Sequence, residues 1–174
     1  NTLQCGFENA DDHRYLQTVT ANELASPNII GIKEASGNIT QMDDIIKNKH
    51  EDFMVISGDD GITFPLITLG AVGVISVIGN AFPKEFSKMV RLALNGDFEK
   101  ALLIHHRFTE LFSLLFVDGN PAGVKCLLNA MGFIENELRL PYSRKDRLHK
   151  GRFLCQISES YPYPIHHICC LVQG

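Results

Sequence analysis

The segment Asn28-Ile29-Ile30-Gly31-Ile32-Lys33-Glu34-Ala35-Ser36-Gly37-Asn38 carries a single cation at the end of an apolar, β-branched run. In an extended strand side chains alternate between faces, so Ile29, Gly31 and Lys33 point one way and Ile30 and Ile32 the other. A parallel sheet is covered on both faces, and a lysine at its carboxy-terminal edge either reaches out to water or sits partly desolvated. Desolvation favours the neutral amine, the form that attacks a keto carbon, so a lysine held this way suits imine chemistry. Gly31 would leave room beside it for a small substrate. The spacing alone favours a solvent-facing lysine at a strand end, which is the commoner case.

Other groups offer chemistry on weaker patterns. Asp59 and Asp60 are adjacent carboxylates that could act as acid and base or serve as loop and helix-capping residues. Gly70, Gly73 and Gly79 flank an apolar run but form neither a GxGxxG nor a GKS/T pattern, so close packing explains them better than a phosphate cradle. His105 falls on the apolar side of a helical pattern, where a hydrogen-bonded buried histidine is expected rather than a ligand. The five cysteines, Cys5, Cys126, Cys155, Cys169 and Cys170, lack a paired CxxC spacing, which argues for reduced thiols. Cys169 and Cys170 beside His166 and His167 could be imagined as a metal cluster. Neighbouring residues rarely aim at one ion, and no metal site is expected.

The elements that would position Lys33 follow from periodicity. Three apolar runs, Asn28 to Lys33, Phe53 to Ser57 and Gly73 to Ile78, are each followed by a helical pattern, which predicts parallel βαβ units and an α/β fold. Ile39, Met42, Ile45 and Ile46 share one face of the first helix. Gly61 to Leu69 reads as a short helix with Pro65 early in it. Pro83 suits a first helical position, Phe86, Met89, Val90 and Ala93 make a buried stripe, and Gly96 closes that helix. From Asp97 the pattern becomes helix upon helix: Asp97 caps a run to about Phe116, with Phe98, Ala101, Leu102, His105, Phe108, Phe112 and Leu115 on one face. Asn120 and Pro121 begin another helix, which Gly132 ends. The predicted organisation is an unassigned segment 1–20, a (β/α) portion 21–96, a helical region 97–141 and a divergent tail 142–174.

Composition narrows the function class. The chain has 174 residues, 45% hydrophobic and 21% charged, the balance of a globular protein with a core. A net charge of -4 gives no electrostatic pull toward nucleic acid or an anionic membrane, so small molecules are the expected partners. No run approaches the roughly 20 apolar residues of a spanning helix, and the early Glu8, Asp11 and Asp12 do not make a leader pattern, so the expected location is cytoplasmic.

Taken in order, Ile30-Gly31-Ile32-Lys33-Glu34-Ala35-Ser36-Gly37-Asn38, Ser57-Gly58-Asp59-Asp60, Gly73-Val74-Ile75-Ser76-Val77, Asn120-Pro121-Ala122-Gly123-Val124-Lys125 and Leu138-Arg139-Leu140-Pro141 resemble successive motifs of the dihydrodipicolinate synthase family, within the N-acetylneuraminate lyase superfamily. The match covers about residues 20 to 141. The resemblance implies a partial TIM (β/α)8 barrel, about its last three βα units, followed by a carboxy-terminal helical extension. It implies a lyase of lysine biosynthesis through diaminopimelate, condensing pyruvate with L-aspartate 4-semialdehyde. Lys33 would form the imine, Ile75 would line the pocket through its backbone carbonyl, and Gly58 would shape the pocket floor. Asp59 and Asp60 would be loop and capping residues. No metal or organic cofactor is implied, and the family is typically a homotetramer. The Ser-Gly-Asp-Asp and Asn-Pro-x-x-Val-Lys forms favour the synthase over sugar-cleaving aldolases such as N-acetylneuraminate lyase.

Two departures qualify that resemblance. A (β/α)8 barrel takes about 250 residues, and residues 1 to 20 match none of the threonine pair, tyrosine, arginine or lysine-feedback site that the family's front half contributes. A truncated, non-catalytic remnant that acts only in assembly is therefore the competing expectation. After Pro141 the sequence turns basic, then rich in Tyr, Pro, His and Cys, where the family has a final amphipathic helix; a shifted reading frame would produce such a change.

Overall fold

The structure, a computed structural model, describes residues 2–5, 29–117, 119–139 and 147–160, and of residues 2–5, 147–150 and 158–160 the backbone. Four parallel strands, β1 (Thr2–Cys5), β2 (Ile29–Glu34), β3 (Met54–Ser57) and β4 (Gly73–Val74), lie side by side in chain order. The register sets Cys5 against Lys33, Lys33 against Ile56, Glu34 against Ser57, and Ser57 against Val74. Strand β1 falls in the segment left unassigned from sequence, because four residues are too few to display a period.

The runs expected as strands form β2, β3 and β4, but the last is much shorter than Gly73 to Ile78. After Val74 the chain bends into a single 3-10 turn, Ile78–Asn80. The amides of Val77 and Ile78 donate to the Asp60 carboxylate, so they are unavailable to a sheet ladder. Hydrophobicity alone marks these residues as buried, without showing that their backbone partner is a side chain.

Helix α1 (Ile39–Asn48) starts where Asn38 Oδ1 accepts from the Gln41 N–H at 3.1 Å. It buries Met42 and Ile45, while Ile39, expected on the same face, stands 41% exposed. Helix α2 (Thr63–Leu69) ends on Gly70, whose φ of 119° is a left-handed conformation that favours glycine. Helix α3 (Pro83–Leu94) has Pro83 at its first turn and buries Phe86, Met89 and Ala93 as the stripe predicts. Helix α4 (Phe98–Phe116) is capped by Asp97, whose carboxylate accepts from Lys100. Its buried face is Ala101, Phe108, Leu111, Phe112 and Leu115, with Phe98 and Leu102 at the exposed margin. Helix α5 (Ala122–Ala130) packs so closely on α4 that a β carbon at Gly123 would overlap the Leu115 carbonyl.

The tail yields the largest departure from expectation. Arg147–Ser160 is a helix, α6, and its Phe153, Leu154 and Ile157 are buried in the core with α3, α4 and α5. The basic residues that make this stretch look irregular fall among its other positions, with Phe153, Leu154 and Ile157 supplying the i, i+1, i+4 stripe. A second, smaller cluster of Ile32, Ile45, Phe53 and Val55 seals α1 against one face of the sheet. Lys33 alternates to the other side.

Candidate active site

Three of the residues singled out from sequence stand at one edge of the sheet. Lys33 is the penultimate residue of β2, Gly58 directly follows β3, and Ile75 directly follows β4. Parallel strands in chain order bring these positions together at their carboxy-terminal ends, where α/β barrels gather catalytic groups. Lys33 is half-buried.

Gly58 extends the ladder past Ser57: its N–H donates to the Glu34 carbonyl at 2.6 Å. A β carbon on it would lie 2.8 Å from Lys33 Cε and 2.7 Å from Ala35 Cβ, so the bare backbone of residue 58 forms the wall along the lysine stem. The Ile75 N–H donates to the Ser57 carbonyl at 2.9 Å, which fixes the chain beyond β4 against the end of β3. Gly31 has a different role from the one expected. A β carbon there would meet the Met54 carbonyl oxygen at 2.6 Å and Met54 Cβ at 2.9 Å, so its bareness serves the approach of β3 and leaves no room for a ligand.

Asp59 and Asp60 are structural in their visible contacts. Asp59 Oδ1 accepts from the Gly61 N–H at 2.8 Å, a local turn. Asp60 is 1% exposed, and its Oδ2 accepts from the Val77 N–H at 3.0 Å and the Ile78 N–H at 2.7 Å. Burial pushes the Asp60 carboxyl above its ordinary range; hydrogen bonds from Ser76, Ile78 and Val77 oppose this, and the Asp59 charge adds to it. Beneath them the buried Ser57 hydroxyl donates to the Asp59 carbonyl at 2.8 Å, and Thr63 Oγ1 donates to the same carbonyl at 2.7 Å.

Glu34 was not among the residues singled out, yet it is 1% exposed, with Oε1 accepting from the Ser36 N–H at 2.7 Å. Strand alternation could have found it, since a carboxylate next to Lys33 must fall on the face shared with Ile32. The hydrogen bond shapes the turn into α1 directly behind the lysine.

The remaining candidates lie away from this edge. His105 is half-buried among rings, 5.6 Å from Phe64 and 5.5 Å from Phe112 between centroids. Its buried Nδ1 has no hydrogen-bond partner among the described residues, so aromatic packing replaces the hydrogen bond expected of it. Burial lowers its pKa, with the neighbouring His106 adding to the effect. Gly79 has Ser76 against it, whereas a β carbon at Gly73 would meet nothing within 4 Å, so close packing accounts for the first and not the second. Cys126 is buried and Cys155 exposed; Cys169, Cys170, His166 and His167 lie outside the described residues. Among the described residues no three His, Cys, Asp or Glu groups gather as a metal site, and no helix is long and apolar enough to cross a membrane.

The model of the dihydrodipicolinate synthetase family matches residues 14–159. The chain belongs to that family. The match runs beyond residues 20 to 141 at both ends and takes in almost all of α6. Over 114 residues the chain is 84% identical to the 4-hydroxy-tetrahydrodipicolinate synthase of Phocaeicola vulgatus and 81% identical to that of Parabacteroides distasonis, in each case 66% of this chain and 38% of the relative. The chain thus spans well under half the length of these curated relatives. Among solved structures, dihydrodipicolinate synthase from Aquifex aeolicus superposes with a TM-score of 0.77 at 35% identity, covering 83% of this chain and 49% of that one. The Thermotoga maritima enzyme gives 0.78 at 38% identity, covering 83% and 50%. The architecture is accordingly α/β, part of a TIM barrel with its helical extension.

Proposed function

We propose that Lys33 is the Schiff-base lysine of a lyase that condenses pyruvate with L-aspartate 4-semialdehyde in lysine biosynthesis through diaminopimelate; the relatives' name, 4-hydroxy-tetrahydrodipicolinate synthase, supports this reading. The observation that carries it is the position of Lys33 at the carboxy-terminal end of β2, with the glycine wall of residue 58 along its stem and Ile75 following β4, two strands away. In its neutral form the amine adds to the keto carbon of pyruvate, and loss of water gives the imine. The imine nitrogen then draws electrons as a methyl proton leaves, producing an enamine without any other electron sink. The enamine carbon bonds to the aldehyde carbon of the second substrate, whose own amine attacks the imine carbon, closes the ring and releases Lys33.

In this reading the backbone carbonyl of Ile75 lines the pocket beside the bound ketoacid, and Gly58 forms its floor. Strand β2 with α1, β3 with α2 and β4 with α3 stand as the last three βα units of the barrel, with residues 97–141 as its helical region. Residues 142–174 include a helix that closes the core, so the proposed boundary at 142 separates sequence character more than structure. The names of the relatives favour this synthase over a sugar-cleaving aldolase.

The test is reductive trapping. The full chain is incubated with pyruvate and borohydride, digested, and its peptides are weighed. A reduced pyruvate adduct on Lys33 is expected; an unmodified Lys33 at saturating pyruvate would refute a working imine site.

A further inference from the structure

The structure assigns a positioning role to Asp60: its carboxylate anchors the Val77–Ile78 backbone and thereby sets the direction of the Ile75 carbonyl beside Lys33. The assignment rests on the imine reading of Lys33 and names a residue that acts on that site through another.

The geometry behind it is a two-point clamp. Strand β4 is only two residues long, so the sheet itself holds little of the segment that follows. On one side of the Ile75 carbonyl, the Ile75 N–H is fixed to the Ser57 carbonyl at 2.9 Å. On the other side, the Val77 and Ile78 amides both donate to Asp60 Oδ2, at 3.0 and 2.7 Å, across 17 and 18 residues of chain. A peptide plane pinned at both flanks has little freedom to turn its carbonyl. Without Asp60 the Ile78 amide would be left unpaired beside a residue that is fully buried.

Asp60 is itself held still. Thr63 Oγ1 donates to the Asp59 carbonyl at 2.7 Å, the Thr63 N–H donates to the Asp60 carbonyl at 3.4 Å, and the Asp59 carboxylate turns the chain onto Gly61. The β3–α2 loop therefore works as a bracket, tying the end of β3 to the end of β4. Burying a carboxylate costs far more than burying a neutral cap, which a simple turn of the Ile78–Asn80 kind does not require. The cost is explained where one side-chain oxygen, Oδ2, must hold two amides at once and keep an adjoining carbonyl aimed.

The experiment measures reductive trapping of pyruvate on Lys33 against pyruvate concentration, in the full chain and in Asp60→Ala and Asp60→Asn. Amide exchange of residues 75–80 is followed in parallel. Asp60→Ala should release the Val77 and Ile78 amides and raise the half-saturating pyruvate concentration by about tenfold, the size of one lost buried hydrogen bond. Asp60→Asn, which keeps an oxygen able to accept from both amides, should recover slow exchange and most of the capture. Circular dichroism checks the fold. If Asp60→Ala is unfolded, Asp60→Glu takes its place, since one added methylene displaces the acceptor, and the same loss is expected. Unchanged capture in a folded variant whose amides are released overturns the proposal, as does slow exchange at Val77 and Ile78 after the acceptor is removed. No adduct in the unsubstituted chain would refute the Lys33 reading and this proposal together, whereas the first two outcomes refute only this one.

Discussion

Gly58 and Lys33 share a wall: the space a side chain at residue 58 would occupy is already held by the lysine stem, with Cε 2.8 Å from the position of its β carbon. The flexible lysine could yield, but Ala35 Cβ at 2.7 Å and the Glu34 carbonyl at 3.1 Å could not without moving β2. Gly58→Ala should therefore lower the rate of pyruvate trapping on Lys33 and destabilise the fold by about 1–3 kcal/mol. Trapping followed by mass spectrometry and urea unfolding measure the two effects. Normal trapping in a folded Gly58→Ala chain would show that the wall does not confine the amine.

Gly31 and Gly73 should respond in opposite senses although both lie in strands. Gly31→Ala drives a methyl into the Met54 carbonyl and Cβ of the neighbouring strand and is expected to cost about 1–3 kcal/mol through overpacking. A methyl at Gly73 meets nothing within 4 Å, and its φ is not positive. Gly73→Ala should then be neutral, or stabilise by up to about 1 kcal/mol by restricting the unfolded chain. Urea midpoints of the two variants decide it; equal losses would contradict the geometry.

How much of this was legible in the residues depends on the length scale of the signal. Helices α3 and α4 were readable because a start signal and a stripe coincide within one segment, Pro83 with Phe86 and Met89, and Asp97 with Ala101, Phe108 and Phe112, while α1 was readable from the stripe of Met42 and Ile45. The edge where Lys33 stands was readable from strand alternation and from the order of the motifs. The shortening of β4 was not, because its cause is a side chain 17 residues away, and no local pattern encodes the bond from Val77 to Asp60. The role of Gly31 is hidden from the local pattern for the same reason, since the atom that fills its space belongs to Met54 on the next strand. Helix α6 was hidden by composition: its basic and polar positions outnumber the three core residues, Phe153, Leu154 and Ile157, that fix it in place.

Those three residues make the contribution of α6 measurable. Phe153 is 1% exposed and belongs to the same core as Phe108 and Leu127. Phe153→Ala should destabilise the chain by about 3–5 kcal/mol, the usual cost of emptying a buried aromatic position. A Phe153→Ala chain with an unaltered urea midpoint would mean that α6 is not docked on α4 and α5.

His105 should make stability depend on pH near neutrality. Burial against Phe64 and Phe112, reinforced by the charge of His106, lowers its pKa in the folded chain below the 6.5 of a free histidine. In the window from 6.5 down to the folded value, the unfolded chain binds the proton and the folded chain does not. The unfolded state therefore holds more protons there, and stability rises with pH. The contribution is fully present above pH 6.5 and is lost as pH falls through the folded pKa. His105→Phe replaces the titrating ring with one that stacks in the same place, so it should keep stability above that pH and flatten the decline below it. Urea midpoints measured between about pH 5 and pH 7 give the slope for both chains. An identical slope in His105→Phe would move the titration to another group and leave the packed imidazole without an electrostatic effect.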